Sequence, residues 1–267
     1  MKGSNAWRWK PPFVRTSPIL ACHHESTDVT DKLSVSLVTP TYNERQNVFL
    51  LAEEIFGLLA DCDDIDLELI IVDDNSPDGT GEAADALKER FPVRVVHRAG
   101  KLGLGSAVME GWKQSDRPYL GVIDADLSHD PAILAGLVRG LREHDLTMGS
   151  RFGETSEVEK WALHRKMISV VGVGLARLVT GAEDPLSGYF FLRREVIEGD
   201  FSLTSSGYKI LLEILVKGRY TSHTSTPFVF RNRQFSDSKL NWREHVLFLK
   251  QILLFGGRRL LGRRPGS

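Results

Sequence analysis

The sequence contains few cysteines, no long apolar run and no marked excess of either charge. Only two of its 267 residues are cysteines, and Cys22 and Cys62 lie far apart, outside any Cys/His ligand spacing. This excludes a disulfide framework and gives no support to a structural zinc site, so a reducing cytoplasm is the expected compartment. No run reaches the ~20 apolar residues that a membrane-spanning helix needs, and the N-terminus lacks a signal-peptide core.

Glycine-rich phosphate-binding loops of the common kinds are also absent. The stretch from Gly100 to Gly105 has neither the G-x-G-x-x-G nor the G-x-x-x-x-G-K-[ST] spacing. A dinucleotide site or a P-loop is therefore disfavoured. If the protein binds phosphates, basic side chains have to contact them.

The composition is that of a globular protein, but its charge is unevenly distributed. Hydrophobic residues make up 42% and charged residues 26%, and the formal net charge is −1. From Arg231 to Ser267, however, nine Lys/Arg face only two Asp/Glu. This local excess predicts an anionic partner for the C-terminal segment.

Short β-branched runs alternate with helical patterns along the first 150 residues. The predicted strands are 34–39, 67–72, 93–97, 119–123 and 146–149. Such alternation is typical of an α/β domain with a mostly parallel central sheet. We assign this domain to residues 33–240, preceded by an N-terminal extension (1–32) and followed by an amphipathic basic segment (241–267).

Polar side chains follow the predicted strands where ligands of open α/β sheets bind. Asp124 and Asp126 follow an apolar strand, and on an extended chain their carboxylates share one face. Paired carboxylates suit Mg²⁺ or Mn²⁺ that also holds substrate phosphates. The alternative is a solvated turn before a helix that Asp130 and Pro131 open. The basic residues that could meet phosphates are Arg151, Arg165, Arg233 and Lys239.

Seven motifs in one order resemble the family 2 GT-A glycosyltransferases, and within them the polyprenyl-phosphate (dolichyl-phosphate) mannosyltransferases. They are Pro40–Arg45, Val72–Thr80, Asp124–His129, Gly149–Arg151, His164–Lys166, Asp184–Gly188 and Ser236–Leu240. The resemblance extends from about Ser34 to Phe255. It implies a Rossmann-like GT-A nucleotide-sugar-binding fold, with amphipathic helices near the C-terminus.

The resemblance implies roles for individual residues. The base and ribose of the nucleotide would be held by Pro40, Tyr42, Glu44 and Asp74. The diphosphate and metal site would comprise Asp124, Ala125 and Asp126, with Ser128 as a further ligand where some relatives have glutamine. The donor diphosphate and acceptor phosphate would be met by Arg151, Arg165, Arg233 and Lys239, which with Asp126 are the expected catalytic residues.

The implied reaction transfers a hexose, expected to be mannose from GDP-mannose, to a polyprenyl or dolichyl phosphate with inversion. Two rivals keep the same fold: a polyprenyl-phosphate glucosyltransferase that uses a UDP-sugar, and a non-catalytic scaffold subunit. A third, a nucleotidyltransferase, usually has a glycine-rich or basic loop after the first strand, which this sequence lacks there. No nucleic-acid partner is expected.

A lipid acceptor predicts a location on the cytoplasmic face of a membrane. In the C-terminal segment Trp242, Val246, Leu249 and Leu253 fall on one helical face, followed by four arginines between 258 and 264. These features predict a reversible membrane anchor. The alternatives are a helix packed on the catalytic domain, an anchor at 167–176, and a tether supplied by a membrane-embedded partner subunit.

Overall fold

The computed structural model describes residues 32–152, 173–203 and 209–231. Within them the chain forms seven strands: β1 (Leu33–Thr41), β2 (Ile65–Asp73), β3 (Val93–His97), β4 (Tyr119–Val122), β5 (Leu146–Ser150), β6 (Phe190–Arg193) and β7 (His223–Pro227). The helices are α1 (Arg45–Leu59), α2 (Thr80–Ala86), α3 (Leu104–Lys113), α4 (Leu134–Gly140), α5 (173–180) and α6 (Ile210–Lys217). Short 3-10 turns cover Leu87–Glu89, Pro131–Ile133 and Arg194–Ile197.

The strands form one sheet in the order β3-β2-β1-β4-β6-β5-β7. Strand β1 pairs in parallel with β2 and β4, β2 with β3, and β5 with β7, whereas β6 runs antiparallel to both of its neighbours. A helix follows each of the first three strands, which is the arrangement that parallel crossovers require. The predicted mostly parallel α/β fold is confirmed.

The sheet is buried on both faces, which explains why its strands read as near-continuous apolar runs. Leu37 of β1 packs into one core with Leu51 and Ile55 of α1. The next residue, Val38, points to the opposite core, which contains Trp112 of α3. Alternate side chains of one strand thus serve two helical layers.

The predicted strand positions hold, with differences at their ends. Strand β4 stops at Val122 and not at residue 123, and β1 and β2 are longer than predicted. Asp130 caps the turn after it as predicted, because its carboxylate accepts a hydrogen bond from the Ala132 backbone N–H and Pro131 follows. The N-terminal extension up to residue 31 and the C-terminal segment 241–267 lie outside the described residues. No helix in the described ranges is long and apolar enough to cross a bilayer.

Helix α3 approaches the sheet closely because it carries glycine at position 111. A Cβ atom there would lie 2.7 Å from Val38 Cγ1 and 3.0 Å from Val72 Cγ2. Gly57 of α1 provides a contrast, since a Cβ atom at that position would meet nothing within 4 Å.

We expect Gly111→Ala to lower the free energy of unfolding by about 1–3 kcal/mol, because overpacking of the two valines outweighs the better helix propensity of alanine. Gly57→Ala should instead raise it by about 0.5–1 kcal/mol, since only the propensity changes. Urea unfolding of both variants measures the two changes in the free energy of unfolding. Equal effects of the two substitutions would contradict the close approach of α3.

Candidate active site

The pairing register gathers the ends of several strands at one edge of the sheet. Phe190 of β6 pairs with Val122 of β4 and with Met148 of β5. Because β6 runs opposite to its neighbours, the residues before it leave the sheet where β4 and β5 end. The segments after Val122, after Met148 and before Phe190 therefore meet at this edge.

The ends of β1, β2 and β3 line the same edge and form one half of it, called here the β1–β3 half. Thr41, Asp73 and His97 lie in one row across these strands. Asp73 is buried, and its carboxylate accepts hydrogen bonds from the Thr41 hydroxyl and from the backbone N–H of Ser76. Asp73 thus holds the loop between β2 and α2.

Asp74, the next residue, forms a buried ion pair. Its Oδ1 lies 2.5 Å from Arg98 Nη1, and both side chains are less than a tenth exposed. Arg98 also donates to the Ser106 hydroxyl over 2.7 Å. The motif resemblance assigned Asp74 to the base and ribose of the nucleotide but gave no role to Arg98. The one signal for Arg98 in the sequence was its position directly after the third strand.

The predicted nucleotide ligands Pro40, Tyr42 and Glu44 lie at the end of β1 and are partly exposed. Glu44 accepts a hydrogen bond from Asn47 Nδ2 over 2.6 Å, and the Glu44 backbone N–H donates to the Thr80 hydroxyl. These contacts fix Glu44 between α1 and α2.

Tyr42 lies under a cation that sequence reasoning did not single out. Lys101 Nζ is 4.3 Å from the centre of the Tyr42 ring, within the range of a cation–π interaction. Lys101 belongs to the glycine-containing loop after β3. That loop therefore reaches the β1–β3 half of the edge through a basic side chain.

The segment from Asp124 to Asp126 differs from the extended chain that the sequence predicted. Strand β4 has already ended, Ala125 and Asp126 lie in a turn, and Leu127 has a φ of 60°. The predicted alternation of side chains therefore does not apply. Instead the two carboxylates differ in exposure: Asp126 is 5% exposed, whereas the Asp124 side chain is 34% exposed.

The turn is stabilised from inside the protein. Asp126 Oδ1 accepts a hydrogen bond from the Ser128 backbone N–H over 3.0 Å. The side chain of Leu127 is buried in the core, which offsets the cost of a left-handed backbone at a residue other than glycine. The conformation of the acidic turn is thus set by the core behind it.

A cluster of aromatic rings backs this turn. The buried His129 ring packs against Tyr189, Phe228 and Phe230, with ring centres 5.5–5.6 Å apart, and its Nδ1 lies 3.8 Å from Asp124 Oδ2. Burial, with a smaller contribution from Asp130, raises the pKa of the Tyr189 hydroxyl well above its ordinary value. The tyrosine is therefore neutral at physiological pH.

Arg151 follows β5 and forms the second buried ion pair of the site. Its Nε and Nη2 each lie 2.8 Å from a carboxylate oxygen of Asp184, which is fully buried. Burial alone lowers the pKa of Arg151, but the charges of Asp184 and Asp124 outweigh it, so the net pKa lies above the ordinary value. Asp184 belonged to a recognised motif, but sequence reasoning assigned it no role.

The oxygen atoms at the acidic turn suit a hard divalent cation. The turn carries the carboxylates of Asp124 and Asp126. It also carries the hydroxyl of Ser128, which is buried and has no hydrogen-bond partner among the described residues. Oxygen ligands of this kind are those that Mg²⁺ and Mn²⁺ prefer. In residues 32–152, 173–203 and 209–231, no group of three or more His, Cys, Asp and Glu side chains is arranged to hold a metal.

The structure brings together most of the predicted site residues. The edge contains Pro40, Tyr42, Glu44, Asp74, Asp124, Ala125, Asp126, Ser128 and Arg151. Three predicted basic residues, Arg165, Arg233 and Lys239, lie outside the described residues.

Comparison with known proteins identifies the family. The family model for glycosyl transferase family 2 matches residues 36–211. The chain is 38% identical over 226 residues to the dolichol-phosphate mannosyltransferase of Pyrococcus furiosus, covering 82% of this chain and 63% of that relative. It is 34% identical over 229 residues to the dolichol-phosphate mannosyltransferase of Saccharomyces cerevisiae, covering 82% of this chain and 86% of that relative.

Solved structures agree on the fold. Glucosyl-3-phosphoglycerate synthase from Mycobacterium tuberculosis, in complex with Mn²⁺ and UDP-glucose, matches with a TM-score of 0.59 at 18% identity over 88% of this chain and 84% of that one. A mannosyltransferase from Pyrobaculum calidifontis, in complex with GDP-mannose and Mn²⁺, matches with a TM-score of 0.58 at 19% identity over 89% of this chain and 67% of that one. Both structural matches support the predicted GT-A fold.

The expected family is confirmed by the family model, which matches residues 36–211, and by the relatives at 34–38% identity. This protein belongs to glycosyl transferase family 2 and is a glycosyltransferase whose relatives include the dolichol-phosphate mannosyltransferases.

Proposed function

We propose that this protein transfers mannose from GDP-mannose to the phosphate of dolichol or a related polyprenol, with inversion, giving polyprenyl-phosphate-mannose and GDP. The observation that carries the proposal is the 34% identity over 86% of the yeast dolichol-phosphate mannosyltransferase. The names of that relative and of the archaeal one supply the sugar and the lipid phosphate. The acidic turn and the buried arginine at the sheet edge suit a diphosphate donor.

In this proposal the end of β1 and the end of β2 hold the nucleoside. Pro40, Tyr42 and Glu44 would border the base and ribose, and Asp74 would contact them with its orientation set by Arg98. The support is that Asn47 fixes Glu44 and that Arg98 pairs with Asp74 over 2.5 Å. A held side chain loses less conformational entropy when a ligand binds.

Asp124, Asp126 and Ser128 would hold Mg²⁺ or Mn²⁺ beside the diphosphate, with Ala125 between the two carboxylates. When bound, the ion supplies a Lewis acid that offsets negative charge on the departing nucleotide. The support is the set of oxygen donors at the acidic turn and the Mn²⁺ in structural neighbours of the same fold. Turnover with Mg²⁺ and with Mn²⁺, measured separately, would determine which ion the protein uses.

The acceptor needs no general base, because its phosphate oxygen is already anionic at neutral pH. The difficulty is electrostatic, since an anionic nucleophile must approach an anionic donor. Two like charges ~4 Å apart repel by about 4 kcal/mol at an effective dielectric of about 20, a factor near 10³ in rate. Positive side chains on the acceptor side would remove this barrier.

Arg151 would contact the donor diphosphate, and Arg165 and Arg233, with Lys239, would meet the acceptor phosphate. The ion pair between Arg151 and Asp184 supports this division, because the carboxylate neutralises much of the charge that Arg151 brings. Further cations are therefore required for a second phosphate. Arg165, Arg233 and Lys239 would supply them.

The activity itself is the first test. Purified protein should release GDP from GDP-mannose only when a short polyprenyl phosphate and Mg²⁺ or Mn²⁺ are both present, and chelation with EDTA should stop the release. A parallel reaction with UDP-glucose is the control for the donor. Equal turnover of UDP-glucose, or none of GDP-mannose, would contradict the mannosyl assignment.

Asp126→Asn tests the acidic turn. Asparagine keeps the shape and still accepts the Ser128 N–H, so folding is retained, but the loss of charge should lower turnover by about two orders of magnitude or more. Asp130→Asn is the matched control, because Asp130 lies in the same segment, caps the next turn, and asparagine caps equally well. Steady-state kinetics compare the two. Unchanged metal dependence in Asp126→Asn would place the metal elsewhere.

For the lipid acceptor we propose a peripheral location on the cytoplasmic face of a membrane. The C-terminal segment 241–267 would lie on the bilayer, with its apolar residues in the interface and its arginines near anionic headgroups. Each basic residue near such a surface contributes about 1 kcal/mol. A membrane-embedded partner subunit is the alternative tether.

Truncation after Asn241 separates these possibilities. The shortened protein should no longer sediment with liposomes that contain anionic lipid, because it lacks the apolar face and the arginine cluster. GDP binding by calorimetry should be unchanged, which is the control for folding. Continued sedimentation would assign membrane binding to another segment, with 167–176 the next candidate.

A further inference from the structure

The turn from Asp184 to Gly188, before β6, lies against two charged side chains of the site, Arg151 and Asp124. The carboxylate of its first residue, Asp184, accepts three hydrogen bonds from Arg151. Its oxygens accept from Arg151 Nε and Nη2 at 2.8 Å and from the Arg151 backbone N–H at 3.1 Å. Asp184 therefore fixes the side chain of Arg151 together with the chain that carries it.

At its last residue, the turn lies directly against Asp124. A Cβ atom on Gly188 would be 2.7 Å from Asp124 Oδ2 and 3.2 Å from its Cγ. Only a hydrogen atom leaves the Asp124 carboxylate room to stay where it is. Gly188 thus limits how far this carboxylate can move toward β6.

The turn itself is held in place by hydrogen bonds. The Ser187 backbone N–H donates to the Asp184 carbonyl over 3.1 Å, and the Tyr189 N–H donates to the Ser187 hydroxyl over 3.2 Å. The Gly149 N–H, two residues before Arg151, donates to the Tyr189 carbonyl over 2.8 Å. The turn is therefore joined to the same strand end from which Arg151 projects.

We propose that the turn Asp184–Gly188 is a positioning element of the transfer site. Asp184 fixes the position of the Arg151 guanidinium, and Gly188 fixes the position of the Asp124 carboxylate. Five consecutive residues would therefore determine the distance between the arginine that contacts the diphosphate and the carboxylate that holds its metal ion. The inference rests on the proposed function, because it takes Asp124 as a metal ligand and Arg151 as a diphosphate ligand.

The physical reason lies in the low tolerance of such a site for displacement. Asp184 is fully buried, and among the described residues Arg151 is the cation that pairs with it, so a displaced Arg151 would leave a buried charge uncompensated. Partners that orient a metal-ligating side chain typically change metal affinity or activity by about 10–100-fold when they are altered. Asp184 and Gly188 themselves touch neither the sugar nor the phosphate in this proposal.

Gly188→Ala tests the carboxylate end of the turn. The φ of Gly188 is outside the left-handed region, so its backbone accepts alanine, and the nearest atoms belong to the end of a side chain that can rotate away. The midpoint of thermal unfolding should thus be retained. Mn²⁺ binding in the presence of GDP, measured by electron paramagnetic resonance of the free ion, should weaken by about 10–100-fold.

Gly136→Ala in α4 is the matched control, because a Cβ atom there would meet nothing within 4 Å. Its Mn²⁺ binding should equal that of the unaltered protein. Asp124→Asn is measured alongside as the reference for the metal site. If Asp124→Asn weakens Mn²⁺ binding and Gly188→Ala does not, the positioning role is overturned while the proposed function stands.

Asp184→Asn tests the arginine end of the turn. It should weaken GDP binding and lower kcat by at least about tenfold. An amide has only one oxygen that can accept from the guanidinium, whereas the carboxylate has two. Asp64→Asn is its control. Both carboxylate oxygens of Asp64 accept hydrogen bonds from Arg139, at 2.9 and 2.7 Å, and Asp64 directly precedes β2, at the end of that strand away from the site. That variant should lose stability but keep kcat and GDP affinity.

The outcomes separate the two proposals. Equal kcat in Asp184→Asn and Asp64→Asn would reduce Asp184 to a structural residue and overturn the inference. If Asp184→Asn fails to fold, Gly188→Ala decides the question alone. If Asp124→Asn leaves Mn²⁺ binding unchanged, the proposed metal site falls, and the inference falls with it.

Discussion

The site depends on one constraint, the antiparallel insertion of β6 between β4 and β5. Phe190 pairs with Val122 on one side and Met148 on the other, so the chain enters β6 at the edge where both neighbours end. A parallel strand at this position would have delivered residues 184–189 to the opposite edge. The reversal brings Asp184 to Arg151 and Gly188 to Asp124.

Two buried ion pairs flank the acidic turn, and each joins segments far apart in the sequence. Arg98 pairs with Asp74 on the β1–β3 half of the edge, and Arg151 pairs with Asp184 on the other half. Buried pairs of this kind contribute little net stability, because desolvation offsets the attraction, but they restrict the orientation of both partners. In the proposed reaction, whose barrier is mainly electrostatic, fixed charges would be more useful than reactive side chains.

Much of the fold was predictable from local patterns, and the error at the acidic turn has a physical cause. The first four strands and the helix from Leu104 to Lys113 lie where the apolar runs and periodicity predicted them. The extended conformation predicted for Asp124 and Asp126 was wrong, because β4 ends at Val122 and the buried Leu127 side chain holds the backbone in a turn. A short sequence pattern carries no information about the core that packs against it in the folded protein.

The sequence by itself determined the alternating α/β plan, the family, and the residue types of the site, since apolar periodicity and motif order are local properties of the chain. The tertiary structure decided which charges meet: it paired Asp74 with Arg98, paired Arg151 with Asp184, and placed Gly188 against Asp124. These contacts span 24 to 64 residues along the chain. They depend on strand order and direction, which follow from the packing of the whole sheet and not from any one segment.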